Sequence, residues 1–376
     1  MATKPATPVV SLQTAKDVSV SQVEQELSKI WQSYGDHAAA RASTFNLIVY
    51  EPENIDNSSR MASIDAIASQ SPCRVISLVP VSGEDEGLAA QVAAYCPIQK
   101  SRSSLVCGEY ITLQGTKDAF NRANSLIADL LIPDLPVFLW WKTSPAPNSR
   151  IFEKLVNLSD RIIFDSANFS DPEADLLKQY AMIKAGVQVA DLNWQRLAPW
   201  QELTAQAFDP PDRRAAVWDI DGVTIDYERG NSTQALMFLG WIASRLHWRP
   251  ASRVKVGGDY DIQRLTFQSK DGKPVQAELA AIPLASVGQV AGDLIGLRLT
   301  ASNLNTDACN IFCSESTGCM RMEASGGAQS YHTHQVSPLA DQSADSLLSQ
   351  QLQRWGREAL YEESMAVITQ FLTMPA

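Results

Sequence analysis

Three cysteines, Cys309, Cys313 and Cys319, lie within one short segment of the C-terminal half of the chain. If this segment is a β-hairpin that turns through residues 314–318, Cys313 and Cys319 face each other across the two strands. Directly opposed residues of antiparallel strands have Cα separations that are compatible with a disulfide. Closing so small a loop stabilises a fold by only about 2 kcal/mol, so such a bond can open and close reversibly. The spacing therefore predicts a redox pair, with Cys309 beside it.

Two other interpretations of these cysteines stay open. The three thiols together with His332 or His334 could bind Zn²⁺, although the segment lacks the Cys-x-x-Cys spacing of a zinc knuckle. Alternatively, the cysteines are free and partly buried. For the other three cysteines, Cys73, Cys96 and Cys107, the simplest interpretation is a small hydrophobic side chain on or beside a strand.

The segment Asp219-Ile220-Asp221-Gly222 is the one stretch that could be an enzyme motif. An Asp-x-Asp-Gly sequence after an apolar strand resembles the nucleophile loop of haloacid-dehalogenase-like phosphatases, in which the first Asp attacks phosphorus and the second is the acid/base. That chemistry also needs a Ser or Thr, a Lys and further carboxylates for Mg²⁺. The residues after Gly222 alternate in polarity as in an antiparallel strand, which favours a strand edge and turn.

Other catalytic and nucleotide-binding motifs are absent from the sequence. It has no Gly-x-Gly-x-x-Gly after a strand, no phosphate-binding loop and no Gly-x-Ser-x-Gly elbow. In an open α/β sheet a ligand would lie beyond the C-terminal ends of the strands, around Lys142, Asp165 and Ser166. A sugar-phosphate sensor that uses this edge is therefore a further alternative, and no cofactor is expected.

The composition restricts the class of protein. The chain has 376 residues, is 45% hydrophobic and 19% charged, and carries a net charge of −11. These values are typical of a globular protein, and the acidic balance disfavours nucleic acids and anionic membranes as partners. No apolar run has the length of a membrane span, and residues 1–19 lack the apolar core of a signal peptide. We therefore expect a cytoplasmic protein.

Strands and helices alternate in the first half of the chain. One helix is predicted from Thr116, its N-cap, to Ile132, and the apolar run Val137–Trp141 predicts a strand that is buried on both faces. Alternation of this kind predicts an α/β domain with a mostly parallel sheet. The other predicted strands are Phe45–Tyr50, Arg74–Val79, Glu109–Leu113 and Arg161–Asp165, and the other predicted helices begin near Ser21, Asn57 and Pro172.

A stiff polar connector, Asp209-Pro210-Pro211-Asp212, predicts the domain boundary. Residues 1–19 are expected to be a flexible tail, residues 20–208 the α/β domain, and residues 213–376 an α+β domain rich in antiparallel strands. In the second domain we expect a strand over Ala216–Ile225, a helix over Ser232–His247 and a hairpin that turns at Lys270–Lys273, followed by the cysteine hairpin and C-terminal helices.

Nine tryptophans are many for this length. Trp140 and Trp141 are adjacent on the buried strand and are expected to pack in the core. Trp194, Trp200 and Trp248 stand beside Arg, Gln and Pro, which is typical of surfaces that bind a partner.

Two segments carry a resemblance to a known family. The first segment resembles the OpcA family of glucose-6-phosphate dehydrogenase assembly proteins. It is the block Leu131-Ile132-Pro133-Asp134-Leu135-Pro136-Val137-Phe138-Leu139-Trp140-Trp141, which is preceded by Glu109–Leu113. The segment Asp191–Trp200, with Trp194, Arg196 and Trp200, is also similar to that family. The resemblance covers most of the chain and is clearest from about Glu109 to Trp200.

The resemblance implies a protein that is not an enzyme. It implies that the chain binds glucose-6-phosphate dehydrogenase, promotes its assembly and activity, and supports the oxidative pentose phosphate pathway. For the cyanobacterial form it also implies redox control through thioredoxin, for which Cys313 and Cys319 are the best-placed pair. Trp194, Arg196, Trp200 and Trp248 are then the expected partner-binding residues.

Overall fold

The computed structural model of the chain describes residues 9–11, 15–34, 39–41, 43–56, 67, 72–97, 105–211, 213–284, 290–302, 306–314, 319–325, 332–338, 343–354 and 356–375. The chain divides into two compact units. Unit 1 comprises Met1–Asp165, Ala185–Ala190 and Ala344–Gly356, and unit 2 comprises Ser166–Lys184, Asp191–Ser343 and Arg357–Ala376. The predicted boundary at residues 209–212 therefore lies inside unit 2.

The first sheet is mostly parallel, which confirms the predicted α/β class. Its strands are β1 (Val9–Ser11), β2 (Lys16–Val18), β3 (Ala39–Arg41), β4 (Asn46–Tyr50), β5 (Arg74–Pro80), β6 (Ala89–Pro97), β7 (Leu105–Gly115), β8 (Val137–Trp141), β9 (Arg161–Phe164) and β10 (Val189–Asp191). Among the described residues the order is β1-β6-β7-β5-β4-β8-β9-β10, with β2 also paired to β6 and β3 to β7. Strands β1 and β2 belong to the segment that the sequence analysis assigned to a flexible tail, and both pair with β6 in antiparallel orientation.

Strand β8, which was predicted to be buried on both faces, lies in the interior of the first sheet. All residues of β4, β5, β8 and β9 are buried, and β8 runs parallel between β4 and β9. Ile48, Leu139 and Ile162 are neighbours across these three strands, and none of them is exposed to solvent. A strand with helices on both sides of its sheet needs apolar residues at every position, and the run Val137–Trp141 supplies them.

Five described helices belong to unit 1. They are α1 (Val23–Tyr34), α2 (Lys117–Arg122), α3 (Asn124–Asp129), α4 (Arg150–Leu158) and α9 (Ala344–Gln351). Thr116 caps α2 as predicted, since its side chain accepts a hydrogen bond from the Ala119 backbone N–H at 3.2 Å. The single helix predicted over Thr116–Ile132 is instead two helices, because Ala123 leaves the helical region at φ −92° and ψ 25°. The helix predicted from Asn57 falls almost wholly outside the described residues.

The second sheet is mostly antiparallel, also as predicted. Its strands are β11 (Gly222–Glu228), β12 (Arg249–Gly257), β13 (Ile262–Gln268), β14 (Pro274–Ile282), β15 (Leu294–Ala301), β16 (Thr306–Ser314), β17 (Cys319–Ser325) and β18 (His332–Pro338). The order in the described part of the chain is β12-β13-β14-β11-β15-β16-β17-β18, and only β11 and β14 run parallel there. The hairpin predicted at Lys270–Lys273 is confirmed, with β13 and β14 paired across it and Gly272 at φ 77°.

The helices of unit 2 include two that cover one face of this sheet. The described helices of this unit are α5 (Pro172–Lys184), α6 (Leu192–Arg196), α7 (Ala198–Gln206), α8 (Thr233–Arg245) and α10 (Ala359–Leu372). Helices α8 and α10 pack so closely that a Cβ at Gly240 would lie 2.6 Å from Ile368 Cγ1. The strand predicted over Ala216–Ile225 was partly wrong, because Arg214–Asp219 is a 3₁₀ turn and the strand begins at Gly222.

Candidate functional site

The strand order of unit 1 creates a switch point between β4 and β8. From β4 the chain continues to β5 and β7 on one side of the sheet, whereas β8 is followed by β9 and β10 on the other side. In open α/β sheets, ligands bind in the crevice beyond the C-terminal ends of the two strands at such a point. The crevice in this chain is bordered by Tyr50, the last residue of β4, with Glu51 after it, and by Trp141, the last residue of β8, with Lys142 after it. Lys142 was predicted to lie at this edge of the sheet.

The chain's own side chains fill this crevice. Lys142 Nζ lies 2.9 Å from a Glu51 carboxylate oxygen, and the two side chains are only 11% and 2% exposed. The same ammonium group lies 4.1 Å from the centre of the Trp140 ring. The rings of Tyr50 and Trp141 stack with a centroid distance of 3.8 Å and an interplanar angle of 9°. An ion pair, a cation–π contact and a ring stack thus occupy the place where a ligand would lie.

A second carboxylate lies in the loop after β4. Glu53, in the loop after β4, accepts hydrogen bonds from Ser82 Oγ at 2.6 Å and Lys117 Nζ at 2.8 Å. The hydrogen bond from Lys117 is the main reason why the pKa of the Glu53 carboxyl lies below its usual value, with a further contribution from Ser82. A dinucleotide-binding loop carries glycines here so that backbone N–H groups can approach a phosphate. This chain has Glu51 and Glu53 in place of such glycines, and each is paired with a lysine.

Glu51 is the residue of this site that the sequence analysis missed. The signal was present, because a Glu follows directly on the buried strand Asn46–Tyr50, where a nucleotide-binding chain has glycine. A buried carboxylate needs a cation beside it, and Lys142 at the end of the adjacent parallel strand is that cation.

The Asp191–Trp200 segment forms a buried polar network in unit 2. Asp191 accepts hydrogen bonds from the backbone N–H groups of Ser166 at 3.1 Å and Asn193 at 2.9 Å. The Asn193 amide donates to Thr233 Oγ1 at 2.8 Å, and Thr233 Oγ1 donates to Asn231 Oδ1 at 2.6 Å. This network holds α6, the Ser166–Asn168 turn and the start of α8 together. Ser166, which the sequence analysis placed at a ligand-binding edge, is part of it.

The four residues predicted to bind a partner are buried. Trp194, Arg196, Trp200 and Trp248 are 7%, 3%, 2% and 5% exposed. Within unit 2, Trp194 packs against Tyr361, Trp200 against Phe238 and Trp248 against Phe267, with ring centroids 5.5, 6.3 and 6.0 Å apart. Arg196 Nη1 donates to Asn193 Oδ1 at 3.2 Å. The interpretation of these residues as a partner surface was therefore wrong: they are core residues, and Arg196 belongs to the buried network.

The hairpin that carries the cysteines is present, but its register differs from the expected one. Cys313 lies opposite Met320, and Cys319 lies opposite Ser314. Because successive residues of a strand alternate between the two faces of a sheet, this offset of one residue assigns the two cysteine positions to opposite faces. The prediction that Cys313 and Cys319 are directly opposed was therefore wrong. Their side chains, and those of His332, His334, Cys96 and Cys107, lie outside the described part of the structure.

Cys309 and Cys73 are described in full and are fully buried. Burial raises the pKa of the Cys309 thiol to about 12. Since the thiolate is the reactive form, a buried thiol of this kind exchanges poorly with disulfides. Cys309 is better explained as a core residue than as a member of a redox pair, and Cys73 is the small buried side chain that was predicted.

The Asp219–Gly222 segment does not assemble further catalytic groups. The Asp221 carboxylate accepts hydrogen bonds from the Ser302 backbone N–H at 3.1 and 3.0 Å, so it ties the start of β11 to the end of β15. Within the described ranges, no group of three or more His, Cys, Asp or Glu side chains could hold a metal ion. These contacts favour the strand-edge interpretation over the phosphatase one.

Comparisons with known proteins cover nearly the whole chain. A model of a glucose-6-phosphate dehydrogenase subunit N-terminal domain of the OpcA family matches residues 64–181, and the corresponding C-terminal domain model matches residues 187–365. The chain is 46% identical to an OxPP cycle protein OpcA of Nostoc punctiforme over 96% of this chain and 94% of the relative. It is 42% identical to its counterpart in Synechocystis over 100% and 95%.

The similarity of the chain to solved structures is weaker. The chain aligns with a dehydrogenase (MviM) from Clostridium difficile at a TM-score of 0.45 and 8% identity, over 88% of this chain and 98% of that one. No helix in the described ranges is long and apolar enough to cross a membrane.

Proposed function

The chain belongs to the OpcA family of glucose-6-phosphate dehydrogenase subunits, and from this premise we propose that it is a non-catalytic assembly factor and allosteric activator of that dehydrogenase. It would act in the cytoplasm and support the oxidative pentose phosphate pathway. The observation that carries the proposal is the switch-point crevice of unit 1, which the Glu51–Lys142 pair and the Tyr50–Trp141 stack fill. A fold with its ligand crevice filled in this way is suited to binding a protein rather than to performing chemistry.

An activator works only through a difference in affinity. If the chain binds the active arrangement of the dehydrogenase more tightly than the inactive one, it shifts the population toward the active arrangement by that difference. No contact with the reacting atoms is needed for this effect. The absence of nucleotide-binding glycines from the sequence is consistent with such a role.

We place the docking surface on the second sheet, on the face opposite to α8 and α10. Alternate residues of the strands lie on this open face, where the register aligns Val254, Arg264, Glu278, Thr224 and Arg298 in one row across five strands. The Arg264 side chain is 59% exposed, and Val254 is 53% exposed on β12. The family model that matches this part of the chain describes a domain of a dehydrogenase subunit. A broad, rigid face with an exposed apolar edge and charges of both signs fits a protein partner.

A single substitution tests this surface. Val254→Arg puts a long charged side chain on the open face without disturbing the core, and we expect it to weaken binding of the cognate dehydrogenase roughly ten-fold or more. Leu360→Arg is the matched control, since Leu360 is an equally exposed apolar residue (47%) on α10. Sedimentation velocity of the mixed proteins measures both complexes. If Val254→Arg and the unchanged chain bind the dehydrogenase equally well, the docking surface does not lie on this face.

We also propose that thioredoxin controls docking through Cys313 and Cys319. A disulfide oxidant would accept two electrons and two protons from the two thiols and leave them joined as a disulfide, and the dithiol of reduced thioredoxin would return both by exchange while being oxidised itself. Because the two positions are offset by one residue, the bond requires the end of the β16–β17 hairpin to open or to slip by one residue. Such a slip moves the side chains of a strand to the other face of the sheet. The oxidised and reduced hairpins would then be two distinct states that the dehydrogenase can distinguish.

Three serine variants distinguish the roles of the three cysteines in the response to thioredoxin. Cys313→Ser and Cys319→Ser should each abolish the dependence of activation on reduced thioredoxin, whereas Cys309→Ser should leave it intact because Cys309 is a buried core residue. A Cys313→Ser protein that still responds fully to reduced thioredoxin would exclude this pair.

A further inference from the structure

Unit 2 contains a cavity of about 550 Å³ beside the N-terminus of α5. Its floor contains Tyr227, Asn231 and Gln263, which are 3%, 4% and 5% exposed. Its charged lining residues are Asp171, Glu173, Arg229, Lys255 and Asp261. The volume lies within the usual range for small-molecule sites.

Two polar groups in the floor have no protein partner among the described residues. Gln263 Oε1 accepts a hydrogen bond from Arg253 Nη2 at 2.9 Å, but no described residue accepts from its amide N–H₂ group. The Tyr227 hydroxyl likewise makes no hydrogen bond with any residue that the structure describes. Burial, together with the nearby carboxylates of Asp261 and Glu173, raises the pKa of Tyr227 to about 12, so the hydroxyl keeps its proton at neutral pH. A buried polar group normally has a partner, and one that faces a cavity can take it from a ligand.

The charges around the cavity balance. Glu173 forms ion pairs with Arg253 and with Lys255, the latter at 3.3 Å. Asp171 caps α5 by accepting a hydrogen bond from the Ala174 N–H at 3.2 Å. The cations Arg229, Arg253 and Lys255 thus stand against the carboxylates of Asp171, Glu173 and Asp261. Because these charges cancel, the cavity has no excess of positive charge that would favour a phosphate, and an apolar molecule would leave the floor groups unsatisfied.

We propose that this cavity binds an uncharged polyhydroxylated molecule of sugar size. A hydroxyl group both donates and accepts, so a sugar can satisfy the Tyr227 hydroxyl and the Gln263 amide together with the carboxylates of the rim. The site lies in unit 2 and needs neither the dehydrogenase nor the cysteine hairpin. Its occupancy can therefore be measured on the chain alone.

The experiment is isothermal titration of the full chain with glucose, fructose, sorbitol and sucrose, each at millimolar concentration. We expect saturable binding of at least one of them, with an affinity five- to ten-fold lower in Tyr227→Phe, the loss of roughly one hydrogen bond. Tyr361→Phe is the matched control, since Tyr361 is a fully buried tyrosine of the same unit that does not line the cavity. It should bind as the unchanged chain does.

Three results would overturn the proposal. They are no saturable binding of any of the four compounds, equal affinity in Tyr227→Phe, and tighter binding of glucose 6-phosphate than of glucose. Asp261→Asn, at the exposed rim, is a second variant that should weaken binding even if the tyrosine variant folds poorly. Thermal melting of each variant without ligand verifies folding.

Discussion

The crevice of unit 1 and the cavity of unit 2 both contain buried polar residues, but the charged groups of the crevice pair with each other, whereas two polar side chains of the cavity floor border open space. In the crevice, Glu51 and Lys142 are each other's partners. In the cavity, the Tyr227 hydroxyl and the Gln263 amide group have no partner in the described part of the chain. The difference teaches that the position of polar residues in a fold does not identify a binding site. What distinguishes the cavity is that polar groups without a protein partner among the described residues line its open volume.

The largest expected effect comes from breaking the ion pair of the crevice. Lys142→Met leaves the Glu51 carboxylate buried without its cation, and breaking such a pair costs roughly 3–5 kcal/mol of stability. The double variant Lys142→Met/Glu51→Leu removes both charges and should recover most of that loss. Urea denaturation measures both proteins. If the single variant is as stable as the unchanged chain, the crevice does not depend on this pair.

The buried network of unit 2 should be nearly as sensitive. Asn193→Ala removes the donor to Thr233 Oγ1 and the acceptor of the Arg196 hydrogen bond. A buried hydrogen bond of this kind contributes roughly 0.5–1.5 kcal/mol, and one to a charged group such as Arg196 roughly 1.5–3 kcal/mol. The same urea titration should show this loss. A variant with unchanged stability would mean that water replaces the lost amide and that the network is not tightly closed.

Glu173, at the rim of the cavity, is expected to have a smaller effect on stability, and this effect depends on pH. Burial of Glu173 opposes its ionisation, but the hydrogen bond and charge of Arg253, with those of Lys255, outweigh burial and hold the pKa of the carboxyl below 4.5. A carboxyl whose pKa is lowered by folding stabilises the protein above its unfolded pKa and loses that contribution as pH falls through the folded value. Between about pH 5 and pH 3 the unchanged chain should therefore lose more stability than Glu173→Gln. If the stability of the two proteins falls in parallel as the pH is lowered, the lowered pKa of Glu173 is contradicted.

The smallest effect should come from the cavity floor. Tyr227→Phe removes a hydroxyl that no described residue contacts, so stability without ligand should change by less than about 0.5 kcal/mol. Comparison with Asn193→Ala in one denaturation series tests the contrast between satisfied and unsatisfied groups directly. A loss above about 1 kcal/mol would show that the hydroxyl has a structural partner.

Much of unit 1 could be predicted from sequence because its signals are local. The apolar run Val137–Trp141 requires a buried strand, and Thr116 is a cap wherever a helix follows. Strand β6 was missed because Ala89–Pro97 is rich in alanine, which has a weak preference for strands. The break at Ala123 likewise leaves no local signal, since alanine is the best helix former.

The candidate sites were harder to predict because they depend on register and burial. Whether Cys313 lies opposite Cys319 or Met320 is decided by pairing across the whole sheet, and an error of one residue reverses the faces. The exposure of Trp194, Arg196, Trp200 and Trp248 depends on which helix covers them, and a tryptophan with polar neighbours in sequence can still be buried. The Tyr227 cavity joins α5, β11 and β13, which are far apart along the chain.

The most direct test of the central claim is an assay of the cognate dehydrogenase at low glucose 6-phosphate, with and without this protein. We expect no dehydrogenase activity from the protein alone, and about five-fold or greater activation of the enzyme under oxidising conditions. Reduced thioredoxin should diminish that activation. An enzyme whose rate is the same with and without the protein, in both redox conditions, would contradict the proposed function.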